Sequence, residues 1–539
     1  MTATIRAASP RHAASSAASP WTGTGHLLRL ALRRDRLRLT VWIVVLTALV
    51  GYTPGALELA YPDEAQRLAR IELLKTPAGI LLSGPMFGVN ETALGTMLAN
   101  ELMLTLIVAT SILAVLTMVR HTRAAEEDGS AELVLAAAVG RQARTAAALA
   151  VVVVTCAVLT ATMTVALGAA GLAVVDSAAM ALGVTAVAVL FAAVAAVTAQ
   201  LWRTARSATG SALAVLGAAV LVRGLGDVID HSGSALSWCS PIAWAQQMRA
   251  FAGLRWWPLA AVIAATTVLV LVAAALERRR QYDQGTIAAT GDRPGARRVG
   301  GVFSLHTTLQ RGQTVGWTIG LFAAGLVFGS MTQALLDAAV DNELITRMLS
   351  AEGTDGVYTV MTQFLAATAS AYVVSSVLRV WADERKGLGE VVLAQPVSRW
   401  WWLCSAVLSA ILGAAVLMFF AGLGNGLGAA LTVGDANTVI RLTGAGLAFV
   451  PALAVLAAVA ALAVAVQRTW IGWLAVAFVV STLYLAALLR LPQWLVDLSP
   501  IGQITAPREL PLGAMAVMVA AAIALTVLAA ALYRRRDAA

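Results

Sequence analysis

Two charged segments of this chain carry the same residue types in the same order. The first starts at Glu126 and the second at Glu384; in each, a glycine follows three positions later and another glutamate three positions after that. Glycine lets a helix end or turn, and a carboxylate is favoured near the start of the next helix by the macrodipole. Each segment therefore predicts a short helix with an apolar side and a charged base, suited to docking into another protein. The predicted docking residues are Glu126, Glu127, Asp128, Gly129, Glu132, Leu135 and Arg141 in the first segment and Asp383, Glu384, Gly387, Glu390, Leu393, Pro396 and Arg399 in the second.

The alternative for each segment is an ordinary capped loop with an arginine beside the membrane. A single copy would favour that interpretation slightly. Two copies with the same glutamates, glycine and arginine favour docking, because a simple connecting loop has no reason to repeat this order of residues.

Other residue types that do chemistry are scattered. A P-loop needs a glycine directly before its lysine, whereas Lys75 follows a leucine and Lys386 follows an arginine. The five histidines lie outside the apolar spans and far apart in the sequence, and the three cysteines suit packing better than metal or redox chemistry. We therefore expect no catalytic residue, no metal site and no cofactor bound by this chain.

The composition is that of a membrane protein. Of 539 residues, 59% are hydrophobic and 12% are charged, whereas a soluble domain carries about a quarter charged residues. Apolar runs of about 20 residues, the length that a helix needs to cross a bilayer, recur along the chain. We predict an all-α polytopic membrane protein rather than a barrel. The twelve predicted transmembrane helices cover residues 39–58, 99–119, 143–168, 178–200, 208–227, 257–276, 313–333, 358–379, 401–424, 440–466, 470–489 and 511–532.

The arginines predict the orientation of these spans. Most of the 38 basic residues fall in segments that are cytoplasmic if the N-terminus lies inside the cell, as the positive-inside rule requires. This places a multi-pass protein in the cell membrane with both termini in the cytoplasm, where a basic surface suits anionic lipids of the bilayer. The arginines flank spans and do not form one continuous face, so we expect no nucleic-acid partner.

The two halves of the chain repeat each other. The tripeptide Ser-Pro-Ile at 240–242 recurs at 499–501, and Trp42 and Trp317 each open the first span of a half. Six helices, a linker and six more in the same orientation make two parallel repeats, which suggests a pathway between them. The predicted divisions are a flexible cytosolic tail at 1–25, a first six-helix half at 26–280, a cytosolic linker at 281–302 and a second six-helix half at 303–539.

An amphipathic stretch precedes each half. Leucines alternate with arginines over residues 27–36, and Phe303, Leu305 and Leu309 precede Arg311 in the second half. This pattern predicts an interfacial elbow helix at each position. The alternative is a positively charged stop that only guides insertion.

The second charged segment resembles the first cytoplasmic loop of type-2 ABC transporter permeases, which reads like E-x-x-G-x-x-E-x-x-L-x-x-P-V-S-R. The match runs from Glu384 to Arg399, whereas the first segment has Ala138 and Gly140 where the pattern has proline and serine. With its length and duplication, the chain is similar to the fused two-half actinobacterial exporters of polyketide and ionophore antibiotics, including mycobacterial multidrug efflux permeases.

That resemblance implies an ATP-driven exporter of amphipathic drugs, antibiotics or lipid-like molecules. In such an exporter, the two segments would be cytoplasmic coupling helices. Each would be seated in one of two copies of a separate ATP-binding subunit, and that subunit would bind ATP and Mg²⁺. The second and eighth spans would face the substrate pathway, although ordinary packing explains their side chains as well. The pathway residues it suggests are Glu101, Met103, Met118, Met361, Phe364 and Tyr372.

The strongest rival function is an ion-coupled secondary drug transporter with six-plus-six topology. Such transporters place ionisable residues inside their spans, where burial is kept for function. The predicted span interiors are nearly free of charge, with Glu101 as the best exception. A membrane-embedded enzyme is disfavoured. It would need clustered carboxylates, clustered histidines or a nucleophile near one membrane surface, and the sequence offers none of these patterns.

Overall fold

The protein folds into two compact all-helical units. The computed structural model describes residues 19–535 apart from 75–78, 81–82, 86, 89–91, 136–138, 231, 281–284, 287–299, 334–353, 386 and 485–491. No strand occurs in this described part. Unit 1 is Met1–Arg293 and unit 2 is Pro294–Ala539. Most of the predicted tail (1–25) and linker (281–302) lies outside the described residues.

Unit 1 is built from long apolar helices joined by shorter ones. Its helices are α1 (Thr24–Ala60), α2 (Glu64–Leu74), α3 (Leu94–Val119), α4 (Ser130–Leu135), α5 (Ala143–Ala169), α6 (Val174–Leu201), α7 (Ala205–Ile229), α8 (Pro241–Gln246) and α9 (Trp257–Arg279).

Unit 2 is also built from long and short helices. They are α10 (Val302–Ser330), α11 (Thr354–Arg385), α12 (Leu388–Leu393), α13 (Arg399–Val433), α14 (Asn437–Ala448), α15 (Val450–Ala465), α16 (Trp470–Tyr484), α17 (Gln493–Asp497) and α18 (Leu512–Arg535).

Eleven helices within the described residues are long and apolar enough to cross a membrane. The predicted class, an all-α multi-pass membrane protein, is therefore confirmed. The predicted span at 470–489 corresponds to α16, which is apolar but shorter, and residues 485–491 lie outside the described part. The count of twelve transmembrane helices stays a prediction.

The long helices pair in the same order in both units. In unit 1, α1 packs on α5, α3 on α6, and α6 on α9; in unit 2, α10 packs on α13, α11 on α15, and α15 on α18. The apolar stretches of α3 and α6 are each 72% buried, and those of α11 and of α14 with α15 are each 67% buried. These helices form the core of their units, whereas α1, α9, α10 and α18 are mostly exposed and offer apolar sides to lipid.

Small residues let α10 and α13 approach closely. A Cβ atom added at Gly325 or Gly329 of α10 would collide with the backbone of α13, and one added at Gly424 or Gly428 of α13 would collide with the backbone of α10. Lipid is as apolar as the side chains, so helices in a bilayer associate largely through such close backbone packing.

The predicted elbow helices are not separate elements in the structure. The amphipathic residues continue without a break into the first long helix of each unit, as α1 and α10. Residues 26–41 contain neither glycine nor proline, so the helical hydrogen bonds can propagate from the polar stretch into the apolar one. By contrast, the predicted span at 440–466 is interrupted at Phe449, two residues before Pro451, which has no backbone N–H to donate.

Candidate functional site

The first charged segment forms a sharp turn at the end of α3. The helix widens into a π-helical stretch at Arg120–Ala124, closes at Ala125–Glu127, and is followed by α4. Gly129 has a φ of 75°, which a residue with a side chain rarely adopts. The Asp128 carboxylate accepts a hydrogen bond of 3.0 Å from the Ser130 amide. Asp128 and Gly129 therefore form the turn between the end of α3 and α4.

Glu126 is the most heavily paired carboxylate of this loop. It is 6% exposed, and three arginines from three elements donate to it: Arg123 at 2.5 Å, Arg280 at 2.6 Å, and Arg144. A buried carboxylate needs such charge-assisted hydrogen bonds to offset its lost hydration. Glu126 therefore fastens the end of α3 to the start of α5 and to the residue that caps α9.

Further polar contacts fix the loop within unit 1. The Arg123 guanidinium donates to the Arg203 carbonyl at 2.6 Å, and the Glu127 carboxylate accepts from the Ala205 amide at 2.9 Å, at the start of α7. Arg141 donates to the Arg280 carbonyl. The loop between α3 and α5 is thus tied to the α6–α7 connection and to the end of α9.

These contacts bring several chain segments to one face of unit 1. Backbone amides of Gly140 and Gln142 donate to carbonyls of Thr22 and Pro20, just before α1. The start of α1, the first charged loop, the α6–α7 connection and the end of α9 therefore lie together. This face carries the arginines of segments that are predicted to be cytoplasmic.

The second charged segment is built the same way at the end of α11. Gly387 has a φ of 71° and begins α12 as its N-cap. The Tyr533 hydroxyl of α18 donates a hydrogen bond to the Glu384 carboxylate. The Arg379 Nε atom lies 3.7 Å from the Asp383 Oδ2 atom. In both units, the first glutamate of the charged segment therefore contacts the end of the last helix.

The side chains left at the surface differ between the loops. In the second loop, Leu388 is 54% and Val391 is 69% exposed; they are three positions apart and so share a side of α12. Other predicted docking residues at the surface are Glu127, Asp128, Glu132, Arg141, Glu390 and Pro396. Those that are partly buried are Gly129, Asp383, Glu384, Gly387, Leu393 and Arg399. Leu135 ends α4, and its side chain lies outside the described part.

The predicted pathway residues occupy α3 and α11. Met103, Met118, Met361 and Tyr372 are buried, Glu101 is partly exposed, and Phe364 is exposed. The Tyr372 hydroxyl forms a 2.8 Å hydrogen bond with Thr314 of α10. Packing within their units accounts for the buried side chains, and their role in transport stays a prediction, as does that of the docking residues.

Sequence reasoning missed the partners of the two glutamates. Arg280 and Tyr533 are far from the charged segments in the sequence, whereas Arg144 lies only three residues after Arg141. The available signal was the Ala-Ala-Leu-x-Arg-Arg-Arg sequence that ends both units, at 274–280 and 530–536. This repeat places Glu277 and Tyr533 at matching positions.

A buried ion pair inside α7 was also missed. Arg223 and Asp227 are both fully buried and lie within the predicted span 208–227. The Arg223 Nε atom is 3.3 Å from the Asp227 Oδ2 atom. Arg223 also donates to Gln246 of α8 at 2.8 Å, and Ser237 donates to Asp227 at 2.6 Å. The i, i+4 spacing of these opposite charges was visible in the sequence. The prediction that the span interiors are nearly free of charge is therefore wrong for the span 208–227.

Comparison with known proteins decides the family. The profile described as "Multidrug efflux system permease Rv1217c, C-terminal domain" matches residues 25–278 and 299–534. The chain is also similar to the multidrug efflux system permease protein Rv1217c of Mycobacterium tuberculosis (strain ATCC 25618 / H37Rv), with 34% identity over 553 residues. The aligned region covers 99% of this chain and 98% of that protein. The chain belongs to this permease family.

The resemblance inferred from the charged segments is therefore confirmed. The two stretches of the permease that match the profile fall one in each unit. The loops at Glu126 and Glu384 thus belong to a permease whose units share an order of long-helix pairing and a contact from the loop to the end of the last helix.

Proposed function

We propose that this permease is the membrane-spanning subunit of an ATP-driven exporter. It moves amphipathic drugs, antibiotics or lipid-like molecules outward, while two copies of a separate ATP-binding subunit bind ATP and Mg²⁺. The chain itself carries no catalytic residue, and its termini lie in the cytoplasm. The observation that carries the proposal is the repeated loop in which a glutamate, held by the last helix of its unit, precedes a short helix.

The contacts of each loop offer a route for force. An ATP-binding subunit that pushes on α12 would move Glu384 and, through Tyr533, the end of α18. Because α18 packs on α15 and α15 on α11, displacement of the loop reaches the core of unit 2. In unit 1, Glu126 and Arg280 provide the corresponding step to α9, which packs on α6.

The surface of α12 supports a docking role. Leu388 and Val391 are exposed apolar side chains beside exposed Glu390. An apolar side rimmed by charge fits a cleft between helices of a partner, as in other helix-in-groove interfaces. Burial of two such side chains contributes about 3 kcal/mol to an interface by their transfer out of water alone.

The proposal is tested by reconstituting the permease with its ATP-binding subunit in proteoliposomes. We expect export of a fluorescent amphipathic substrate to need ATP and to persist when ionophores collapse all ion gradients. The variant Val391→Asp should lower permease-stimulated ATP hydrolysis about tenfold or more, because a charge would have to enter the cleft of the partner. The matched control is Leu510→Asp, a similarly exposed apolar residue in the loop before α18.

Two results would contradict the proposal. Export driven by an ion gradient alone, without the ATP-binding subunit, would favour the secondary-transporter alternative. Unchanged ATP hydrolysis and unchanged complex formation in Val391→Asp would remove the docking role of α12.

A further inference from the structure

A cavity of about 260 Å³ lies behind the first charged loop. It opens to the surface and is lined by residues of α1, the π-helical end of α3, the start of α4 and the start of α5. One part of its wall is apolar, formed by Leu27, Leu30, Ala31, Ala147 and Ala148. The rest of the lining carries the polar side chains Arg34, Arg120, His121, Ser130 and Arg144. The volume equals about nine water molecules, enough for a phosphate group with a small substituent.

The charges around this cavity are unbalanced. Arginines outnumber carboxylates among the residues that line the cavity or pair with its lining. The arginines are Arg34, Arg38, Arg120, Arg123, Arg144 and Arg280, and the carboxylates are Asp35, Glu126, Glu277 and Asp128, which accepts from the Ser130 amide. Among the described residues, three of these arginines and no carboxylate line the cavity itself, so an anion placed there would lie beside positively charged side chains.

The corresponding place in unit 2 is filled. If Trp42 and Trp317 are aligned, Ala31 corresponds to His306, and if Glu126 and Glu384 are aligned, Arg144 corresponds to Trp402. In unit 2 the His306 and Trp402 rings pack with centroids 4.4 Å apart, and both residues are buried. One unit of the permease therefore fills this place with aromatic rings, whereas the other keeps small residues and arginines around an open space.

An apolar track leads away from the cavity along α1. Leu30 lines the cavity and is 58% exposed, and Leu37, Val41 and Val44 are also exposed. Their spacing of seven, four and three residues puts all four on one side of the helix. Because α1 is long and apolar enough to cross a membrane, this side can face the hydrocarbon region next to the cavity.

We propose that the cavity binds the phosphate of an anionic phospholipid, whose acyl chains lie along the exposed side of α1. Basic pockets between membrane helices are suited to such headgroups, and arginine pairs with phosphate through parallel hydrogen bonds. The headgroup would touch both α1 and the first charged loop, since Ala125 and Ser130 line the same cavity. The site is specific to unit 1.

The test measures lipid binding to the full-length permease in an uncharged detergent, by native mass spectrometry. The three probes are short-chain phosphatidylglycerol, short-chain phosphatidylcholine and inorganic phosphate. We expect phosphatidylglycerol to bind more tightly than phosphatidylcholine and inorganic phosphate to bind weakly. Arg34→Gln should weaken phosphatidylglycerol binding about fivefold, the equivalent of about 1 kcal/mol for one basic residue at a membrane surface.

The matched control is Arg36→Gln, which removes an exposed arginine of the same helix that does not line the cavity. Its binding should equal that of the unchanged permease. Ala31→Phe, which fills the cavity as the rings do in unit 2, should abolish the preference for phosphatidylglycerol.

Equal effects of Arg34→Gln and Arg36→Gln would overturn the site, since they would show only a general attraction to basic charge. Equal binding of the two phospholipids would also overturn it. Tight binding of inorganic phosphate that phosphatidylglycerol does not displace would overturn the lipid assignment in favour of a soluble phosphate ligand. The measurement uses no ATP-binding subunit, so its outcome is independent of the proposed export function.

Discussion

At the scale of single residues, the unusual feature of this permease is Glu126, whose carboxylate accepts hydrogen bonds from three arginines. Removal of one partner of a buried ion pair is strongly destabilising because it leaves an uncompensated charge. Glu126 has several partners from different elements, so loss of a single arginine should weaken the cluster without unfolding the unit. The most informative position is Arg280, because it follows α9 and carries the link to the last helix.

We expect Arg280→Gln to lower the stability of the permease by about 2 kcal/mol, since the charge-assisted hydrogen bond to Glu126 is lost. It should also lower permease-stimulated ATP hydrolysis, because the Glu126–Arg280 pair, one of the contacts that join the loop to the end of α9, would be lost. Thermal unfolding in detergent and ATP hydrolysis in proteoliposomes measure the two effects.

The control for this substitution is Arg279→Gln, which changes an exposed neighbour in the same tribasic sequence. It should leave both quantities unchanged. If the two variants behave alike, the Glu126–Arg280 pair does not carry the link from the first loop to α9.

At the scale of elements, each charged loop depends on a turn that redirects the chain from a long helix into a short one. Gly129 and Gly387 adopt positive φ at matching positions. Among the described residues beyond the chain neighbours, no atom lies within 4 Å of a Cβ built on either glycine. The penalty for alanine at these positions is therefore backbone strain.

Gly387→Ala should therefore destabilise the turn by about 1 kcal/mol, the strain of a left-handed conformation in a residue with a side chain. The start of α12 should then shift or fray, and the affinity for the ATP-binding subunit should fall. Hydrogen exchange of the α12 amides and a pull-down titration measure these changes.

Gly316→Ala in α10 is the matched control, because it too has no atom near its Cβ and carries no positive φ. Alanine is a better helix former than glycine, so this variant should be as stable as the unchanged permease or more stable. Equal protection of α12 in both variants would show that the turn does not need glycine.

At the scale of the whole molecule, the chain is two units that each have their own hydrophobic core. The core of unit 1 draws on α1, α3, α5, α6, α7 and α9, and that of unit 2 on helices from α10 to α18. A unit with a contiguous core of its own can in principle fold alone.

We expect the fragment Met1–Arg293 to insert into membranes and to give a single, monodisperse species in detergent. The control fragment Met1–Gly171 ends before α6, on which α3 packs most extensively, and should aggregate or be degraded. Expression level, size-exclusion chromatography and protease resistance distinguish the two. Aggregation of both fragments would mean that unit 1 is not an independent folding unit.

Much of the element scale was available from the sequence. Hydropathy over about 20 residues predicts membrane helices because insertion depends on a local average, and the duplicated charged segments can be recognised by comparing the chain with itself. Local sequence could not show that the amphipathic stretch before Trp42 continues into α1, since a charged helix can either lie in the interface or extend a span. The interruption at Phe449 had a signal in Pro451, but a proline does not always break a membrane helix.

The sequence by itself determined the membrane class, the positions of most long helices and the positions of the two similar charged loops, because each of these follows from neighbouring residues or from repetition. Only the tertiary structure decided that Glu126 is buried among arginines, that Glu384 contacts Tyr533, and that unit 1 keeps a cavity. These depend on residues up to 154 positions apart, and burial and charge balance arise only when packed helices bring such residues together.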